Sequence, residues 1–115
     1  VAGGLQPGQP GDAHNYVLLL TALRSAIGPS KLLTVAVGAG ARAIDPLEYA
    51  DMAAVLDWVN VMTYDFHSGG RRAGFNSALY NHDDPTNARS NTDAAVQALL
   101  AKGVPRTKLV VGVPF

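Results

Sequence analysis

The chain has 115 residues, 48% apolar and 16% charged, and its nine basic and nine acidic side chains leave a formal net charge of zero. That balance suits a globular chain and offers no basic face for nucleic acid, Arg71-Arg72 being the one basic doublet. No apolar run approaches the ~18 residues that span a bilayer, and the lack of cysteine excludes disulfides and thiolate metal sites.

Residues 1 to 12 are rich in Gly, Pro and Gln and read as loop. The chain opens on Val1 with no charged-then-apolar leader, and closes at Phe115 directly behind an apolar run. Both ends read as cuts in a longer protein. Asp12 is the expected N-cap of a helix from about Ala13 to Ile27, with Tyr16, Leu19, Leu20, Leu23 and Ile27 as its apolar stripe and Gly28-Pro29 as its stop. Leu32 to Val37 is a short β-branched run, apolar on both faces, as a buried parallel strand should be.

Asp45-Pro46 predicts the start of a second helix, with Asp45 as cap and Tyr49, Met52, Ala53 and Leu56 on the inner face. Trp58 to Tyr64 reads as a second strand. The polar stretch from His67 to about Asn91 exceeds an ordinary connection, and loops of that length are characteristically functional or disordered. Ser90 or Asn91 opens a third helix, with Val96, Leu99 and Leu100 on its face and Gly103 as its stop. Lys108 to Val113 is the third strand. The resulting order, α-β-α-β-α-β, predicts an α/β fold of parallel strands joined by right-handed crossovers. Periodicity does not choose between a barrel wall and a doubly wound sheet.

In either fold the working residues sit at the C-terminal ends of strands. After Val37, the run Gly38 to Ala43 formally matches a dinucleotide fingerprint, but the helix start is marked later, at Pro46, so a small-residue turn without a ligand is the better reading. A nucleotide-binding α/β domain built on that turn is the alternative. After the second strand, Tyr64, Asp65, Phe66 and His67 gather a phenol, a carboxylate, an aromatic ring and an imidazole. Alternation puts Asn60, Met62 and Tyr64 on one face and Val59, Val61 and Thr63 on the other, against the helices. Asp65 joins Tyr64 only where the strand is ending. Tyr64 also reads as a core tyrosine, and Asp65 as a loop cap or a partner of Arg71 or Arg72. His67 reads as a loop residue, Asp83-Asp84-Pro85 as a turn, and Trp58, at the far end of its strand, as structural. No metal site is expected.

Val61 to His67 (VMTYDFH) resembles the Met-x-Tyr-Asp motif on the sixth strand of glycoside hydrolase family 18 chitinases. The likeness extends to Asn76 to Tyr80, to Asn91 to Pro105 with the strand Leu109 to Phe115, and to the helix at Asn15-Tyr16. The resemblance implies that residues 1–115 are part of a TIM (β/α)8 barrel catalytic domain, roughly strands five to seven. It implies substrate-assisted, retaining hydrolysis of β-1,4-linked N-acetylglucosamine by a secreted, monomeric parent that uses no cofactor and takes chitin or its oligosaccharides. By position, Tyr64 would hold the substrate's acetamido group, Asp65 would bind the sugar and add negative charge near the cationic transition state, and Met62 would line the subsite floor. The family's Asp-x-x-Asp-x-Asp-x-Glu motif, whose Glu is the acid, is absent from the sequence, and Ser68 stands where Gly often follows the His. An inactive isolated chain is therefore expected. The alternative is a non-catalytic carbohydrate-binding lectin of the same barrel family.

Overall fold

A computed structural model describes residues 8–67, 73–82 and 88–115. Ser68, Arg71, Arg72 and Asp83-Asp84-Pro85, like most of the N-terminal loop, lie outside the described residues. The elements are α1 (Asp12–Ile27), β1 (Thr34–Gly38), a single helical turn α2 (Ala41–Ile44), α3 (Tyr49–Val55), β2 (Trp58–Met62), α4 (Thr92–Ala101), a 3-10 turn (Arg106–Lys108) and β3 (Leu109–Val111). The three strands form one parallel sheet in the order β1-β2-β3, Val35 lying beside Val59 and Val59 beside Leu109.

The two faces of that sheet differ. Val35, Val37, Val59, Val61 and Thr63 are buried together with Ile44, Tyr49, Met52, Leu56, Ala95 and Leu99 in one core under the helices. The alternate residues, Ala36, Asn60, Met62 and Tyr64, stand on the other face and are half-buried or exposed. Helices on one side and polar side chains on the other is the arrangement of a barrel wall rather than of a doubly wound sheet. The face assignment from alternation holds at every position of β2.

Three local expectations change. Gly11, not Asp12, is the N-cap of α1, and Asp12 uses its carboxylate to accept the Gln9 amide at 2.8 Å. The buried stripe of α1 runs through Val17 and Leu20, with Tyr16 and Arg24 beside it, while Leu19 and Leu23 are exposed. A leucine-rich helix allows two stripes, and the one chosen places Arg24 where it has partners. Asp45-Pro46 does not open the second helix. Asp45 instead closes α2, its amide bonding to the Ala41 carbonyl, and α3 begins after Glu48. A helical turn therefore does open within the glycine run, at Ala41. The space there is taken by packing, since a Cβ on Gly38 would lie 2.9 Å from that of Ala43.

The end of the sheet remote from Tyr64 is held by one partly buried network. Arg24 donates to the carbonyls of Val55, Gly28 and Lys31 and pairs with Asp57 at 2.6 Å, while Asp57 also accepts the Leu33 amide at 2.6 Å. One guanidinium thus joins the ends of α1 and α3 to the entry of β1, using the planar fork that a lysine lacks. Lys108 supplies the matching cation at α3, donating to the carbonyls of Ala53 and Leu56 at 2.7 Å each. Those carbonyls lie at the negative end of that helix, where a cation is favoured. Among the described residues no helix is long and apolar enough to cross a membrane.

The Leu33 amide, and then Arg24, hold the Asp57 carboxyl below its ordinary value of 3.8. A carboxyl depressed in the folded state stabilises it above the unfolded pKa and loses that effect as pH falls through the folded pKa. Thermal denaturation from about pH 6 to about pH 3 should show Tm falling on the acid side, and Asp57→Asn should flatten that limb while lowering Tm at neutral pH. An unchanged acid limb would contradict the assignment. Tyr49 is 1% exposed and its hydroxyl has no hydrogen-bond partner among the described residues. Burial, with Tyr16 nearby, pushes that phenol up to about 12. Removing an unsatisfied buried hydroxyl relieves a desolvation penalty, so Tyr49→Phe should leave stability unchanged or raise it by up to about 1 kcal/mol in denaturant unfolding.

A candidate active site at the strand ends

The C-terminal end of β2 is set by one carbonyl. Val61 O accepts the Gly112 amide at 2.8 Å, continuing the ladder to β3, and also the Thr63 amide at 2.9 Å. The second bond spans two residues, closing a γ-turn over Met62 that bends the strand out of its ladder. Thr63, wholly buried, then donates its hydroxyl to Gly112 O at 2.7 Å. Its own carbonyl accepts the Ser77 hydroxyl at 2.8 Å. The strand therefore ends against two other segments at fixed positions.

Past this lock the chain turns. Asp65 has φ 59° and is the one non-glycine residue with positive φ among the described residues. Asp tolerates the left-handed region better than most residues, at a cost on the order of 1 kcal/mol, and such positions concentrate at functional sites. The turn does what the sequence required of it: the strand has ended before Asp65, and its side chain is exposed beside half-buried Tyr64. The Tyr64 ring lies flush on the backbone of Gly112, where a Cβ would come within 2.9 Å of its Cε1 and of Val61 O. Gly112 is thus glycine for close approach, in a run otherwise of leucine and valine.

Met62 lines a recess of about 320 Å³ with Tyr16, Ala36, Gly38, Ala43 and Leu47, between the ends of β1 and β2. Asn60, on the same face, is satisfied internally, accepting from the Trp58 indole at 3.1 Å and donating to Val35 O at 3.2 Å. It braces the sheet, and Trp58 has the structural place expected for it. His67 sits against Gly74, with its ring centroid 6.4 Å from that of His82. No group of three metal-ligating side chains occurs among the described residues.

Thr63, Arg89 and Gly112 were not singled out by sequence, whereas Phe66, the Asn76–Tyr80 segment and the cap at Asn91 were, and the structure gives all of them defined partners. Thr63 looked like one more core position, yet it carries the lock. Phe66 donates its amide to Asn76 O at 3.1 Å, so 76–77 pins the start of the long loop as Ser77 does. The other end of the loop docks on α4. Asn91 caps that helix by accepting the Ala94 amide at 2.8 Å, and the Thr92 and Asp93 amides donate to the carbonyls of Ala78 and Leu79. The first three amides of α4 are thereby satisfied. Arg89 spans to Asp45 through two bonds of 2.7 and 2.9 Å, fixing residue 89 over the β1–α3 connection. Of the three residues not singled out, Gly112 carried a local signal, as a glycine in an otherwise strand-like run marks a close approach.

Three parallel strands with helices on one side define part of an α/β barrel wall, and the phenol of Tyr64 and the carboxylate of Asp65 lie just past a strand end, the face where such barrels carry their sites. The family model for glycosyl hydrolases family 18 matches residues 5–115, and the chain belongs to that family. It is 38% identical over 131 residues to chitinase A1 of Niallia circulans, covering 100% of this chain and 19% of the relative. Chitinase ChiA74 from Bacillus thuringiensis superposes with a TM-score of 0.87 at 39% identity, covering 100% of this chain and 20% of that one. A catalytic domain of the Group II chitinase of Ostrinia furnacalis, solved as a mutant with a penta-N-acetyl chitooligosaccharide, gives a TM-score of 0.88 at 36% identity over 94% of this chain and 29% of its own. The chain thus spans between a fifth and a third of the relatives it matches.

If Gly112 is glycine because Tyr64 lies on it, Gly112→Ala must displace either the ring or the Val61 carbonyl. We expect a loss of about 1 to 3 kcal/mol in denaturant unfolding, the usual cost of overpacking. We also expect a shift of the Tyr64 ring resonances by NMR. A variant with wild-type stability and unmoved Tyr64 resonances would contradict the packing described.

Proposed function

We propose that this chain is part of the catalytic domain of a secreted chitinase, and that it supplies the half of the active site that holds the substrate's acetamido group. The observation that carries the reading is the bent end of β2, which presents Tyr64 and Asp65 together at the strand C-termini of a family 18 wall. Chitin and its N-acetylglucosamine oligosaccharides are the proposed substrates. The named relatives are chitinases, and one of the superposed domains holds such an oligosaccharide.

The chemistry proposed is substrate-assisted. The acetamido oxygen attacks the anomeric carbon as the glycosidic bond breaks, the leaving oxygen takes a proton, and water later opens the cyclic intermediate with retention. Tyr64 donates its hydroxyl to the acetamido group, which orients the nucleophile and spreads the charge developing on it. Asp65 accepts hydrogen bonds from the same sugar and places negative charge beside the cationic transition state. Met62 forms the floor. The ring of Tyr64 is held on Gly112 before substrate arrives, so little reorganisation is needed at reaction.

These 115 residues do not supply the proton. Their single glutamate, Glu48, lies at the start of α3 and pairs with His14 at 3.2 Å, in the helix layer rather than at a strand end. The isolated chain should therefore release no product from N-acetylglucosamine oligomers, and turnover by it would contradict this division of the site. In the full-length protein, Tyr64→Phe should lower kcat by roughly 10²-fold with a smaller change in KM, as for loss of one donor to a developing charge. Wild-type kcat in that variant would remove Tyr64 from the mechanism.

A further inference from the structure

Resting on the chitinase reading, we infer that Ser77 is a positioning residue for that reaction and acts through Tyr64. The segment from Gly74 to Ser77 clasps the turn that carries the phenol and the carboxylate. Three contacts fall in antiparallel order along the two stretches of chain. The Ser77 hydroxyl donates to Thr63 O at 2.8 Å, the Phe66 amide donates to Asn76 O at 3.1 Å, and the His67 ring lies on Gly74. The two hydrogen bonds grip residues 63 and 66, one on each side of Tyr64 and Asp65. The same strip is fixed from behind, since Ala78 O and Leu79 O accept the Thr92 and Asp93 amides at 2.9 and 3.0 Å. Residues 76 to 79 thus join the end of β2 to the first turn of α4.

The turn needs such a clasp. Asp65 has φ 59°, and a non-glycine residue persists there only where its surroundings over-determine it. Beyond Met62, the last residue of β2, the Thr63 carbonyl takes its donor from a side chain and not from the ladder. That bond fixes the peptide plane between Thr63 and Tyr64, and with it the base from which the Tyr64 side chain departs. The amide and hydroxyl of Thr63 are already committed to Val61 O and Gly112 O, so Ser77 completes the set. Asn76, Ala78 and Leu79 act through main-chain carbonyls, which a change of side chain would leave in place. Ser77 acts through its hydroxyl, which makes it the bonded member of the clasp whose identity matters. A small misplacement of an orienting group costs far more rate than the lost bond alone would suggest.

The test is steady-state hydrolysis of the N-acetylglucosamine hexamer by the full-length enzyme, well below the Tm of each variant. The variants are Ser77→Ala, Ser77→Thr, Tyr64→Phe and the combination of Ser77→Ala with Tyr64→Phe. Ser77→Ala should lower kcat roughly five- to tenfold with KM within about twofold, and Ser77→Thr, which keeps the hydroxyl, should restore kcat to within about twofold of wild type. In the Tyr64→Phe background Ser77→Ala should change kcat by less than about twofold, because the group it positions is gone. Wild-type kcat in Ser77→Ala, even with a lowered Tm, would overturn the assignment and leave Ser77 a structural role. An equal fall in both backgrounds would overturn it too, since Ser77 would then act independently of Tyr64. Either result leaves the chitinase reading intact. If the wild-type enzyme does not cleave the hexamer, the chitinase reading fails and the positioning role with it.

Discussion

The carbonyl of Val61 is the point on which the site depends. By accepting from both Gly112 and Thr63 it ends one strand and registers the next in the same place. A strand continuing regularly through residue 65 would have sent Tyr64 and Asp65 to opposite faces. The γ-turn and the left-handed Asp65 instead let a half-buried phenol and an exposed carboxylate occupy one edge of the sheet. Thr63 makes the arrangement firm, because its hydroxyl and carbonyl bond to segments that lie fourteen or more residues away in sequence. Burying that hydroxyl unpaired would be costly, so the bend and the loop packing stabilise each other.

The rest of the chain divides its labour along the strand axis. At one end Arg24, Asp57 and Lys108 tie helix ends to strand entries through charge-assisted bonds. At the other end backbone amides and hydroxyls hold the end of β2, and Arg89 pairs with Asp45 over the β1–α3 connection. That separation of a bracing end from a working end is the general economy of α/β barrels. On the proposed reading, the apolar surface of Val110, Val111 and Val113 along β3 is where the wall continues to its next strand.

Much of this was legible in the sequence. The α-β alternation, the parallel strands and the two faces of β2 all follow from periodicity, because a buried β-branched run and an Asn-x-Met-x-Tyr alternation leave little freedom. The cap at Asn91 was readable too, as its side chain acts within three residues. What escaped was decided by competing partners, most of them distant in sequence. Asp12 and Asp45 each carry the signal of a helix cap, yet Asp12 is taken by Gln9 and Asp45 by Arg89, forty-four residues away. Leu19 and Leu23 lost their place in the core to a stripe that seats Arg24 on three carbonyls and Asp57. Thr63 and Ser77 gave no local sign of their role. The family motif pointed to Tyr64 and Asp65 by resemblance, and the bend at the end of β2 with the left-handed Asp65 is the local structure at that motif.

The most direct measurement is a crystal structure of the full-length protein with a bound N-acetylglucosamine oligomer. The account predicts the Tyr64 hydroxyl within about 2.7 to 3.0 Å of the acetamido group of one sugar, with Asp65 accepting from the same sugar. An oligomer bound with its acetamido groups away from Tyr64, while the Tyr64 ring stays on Gly112, would contradict it.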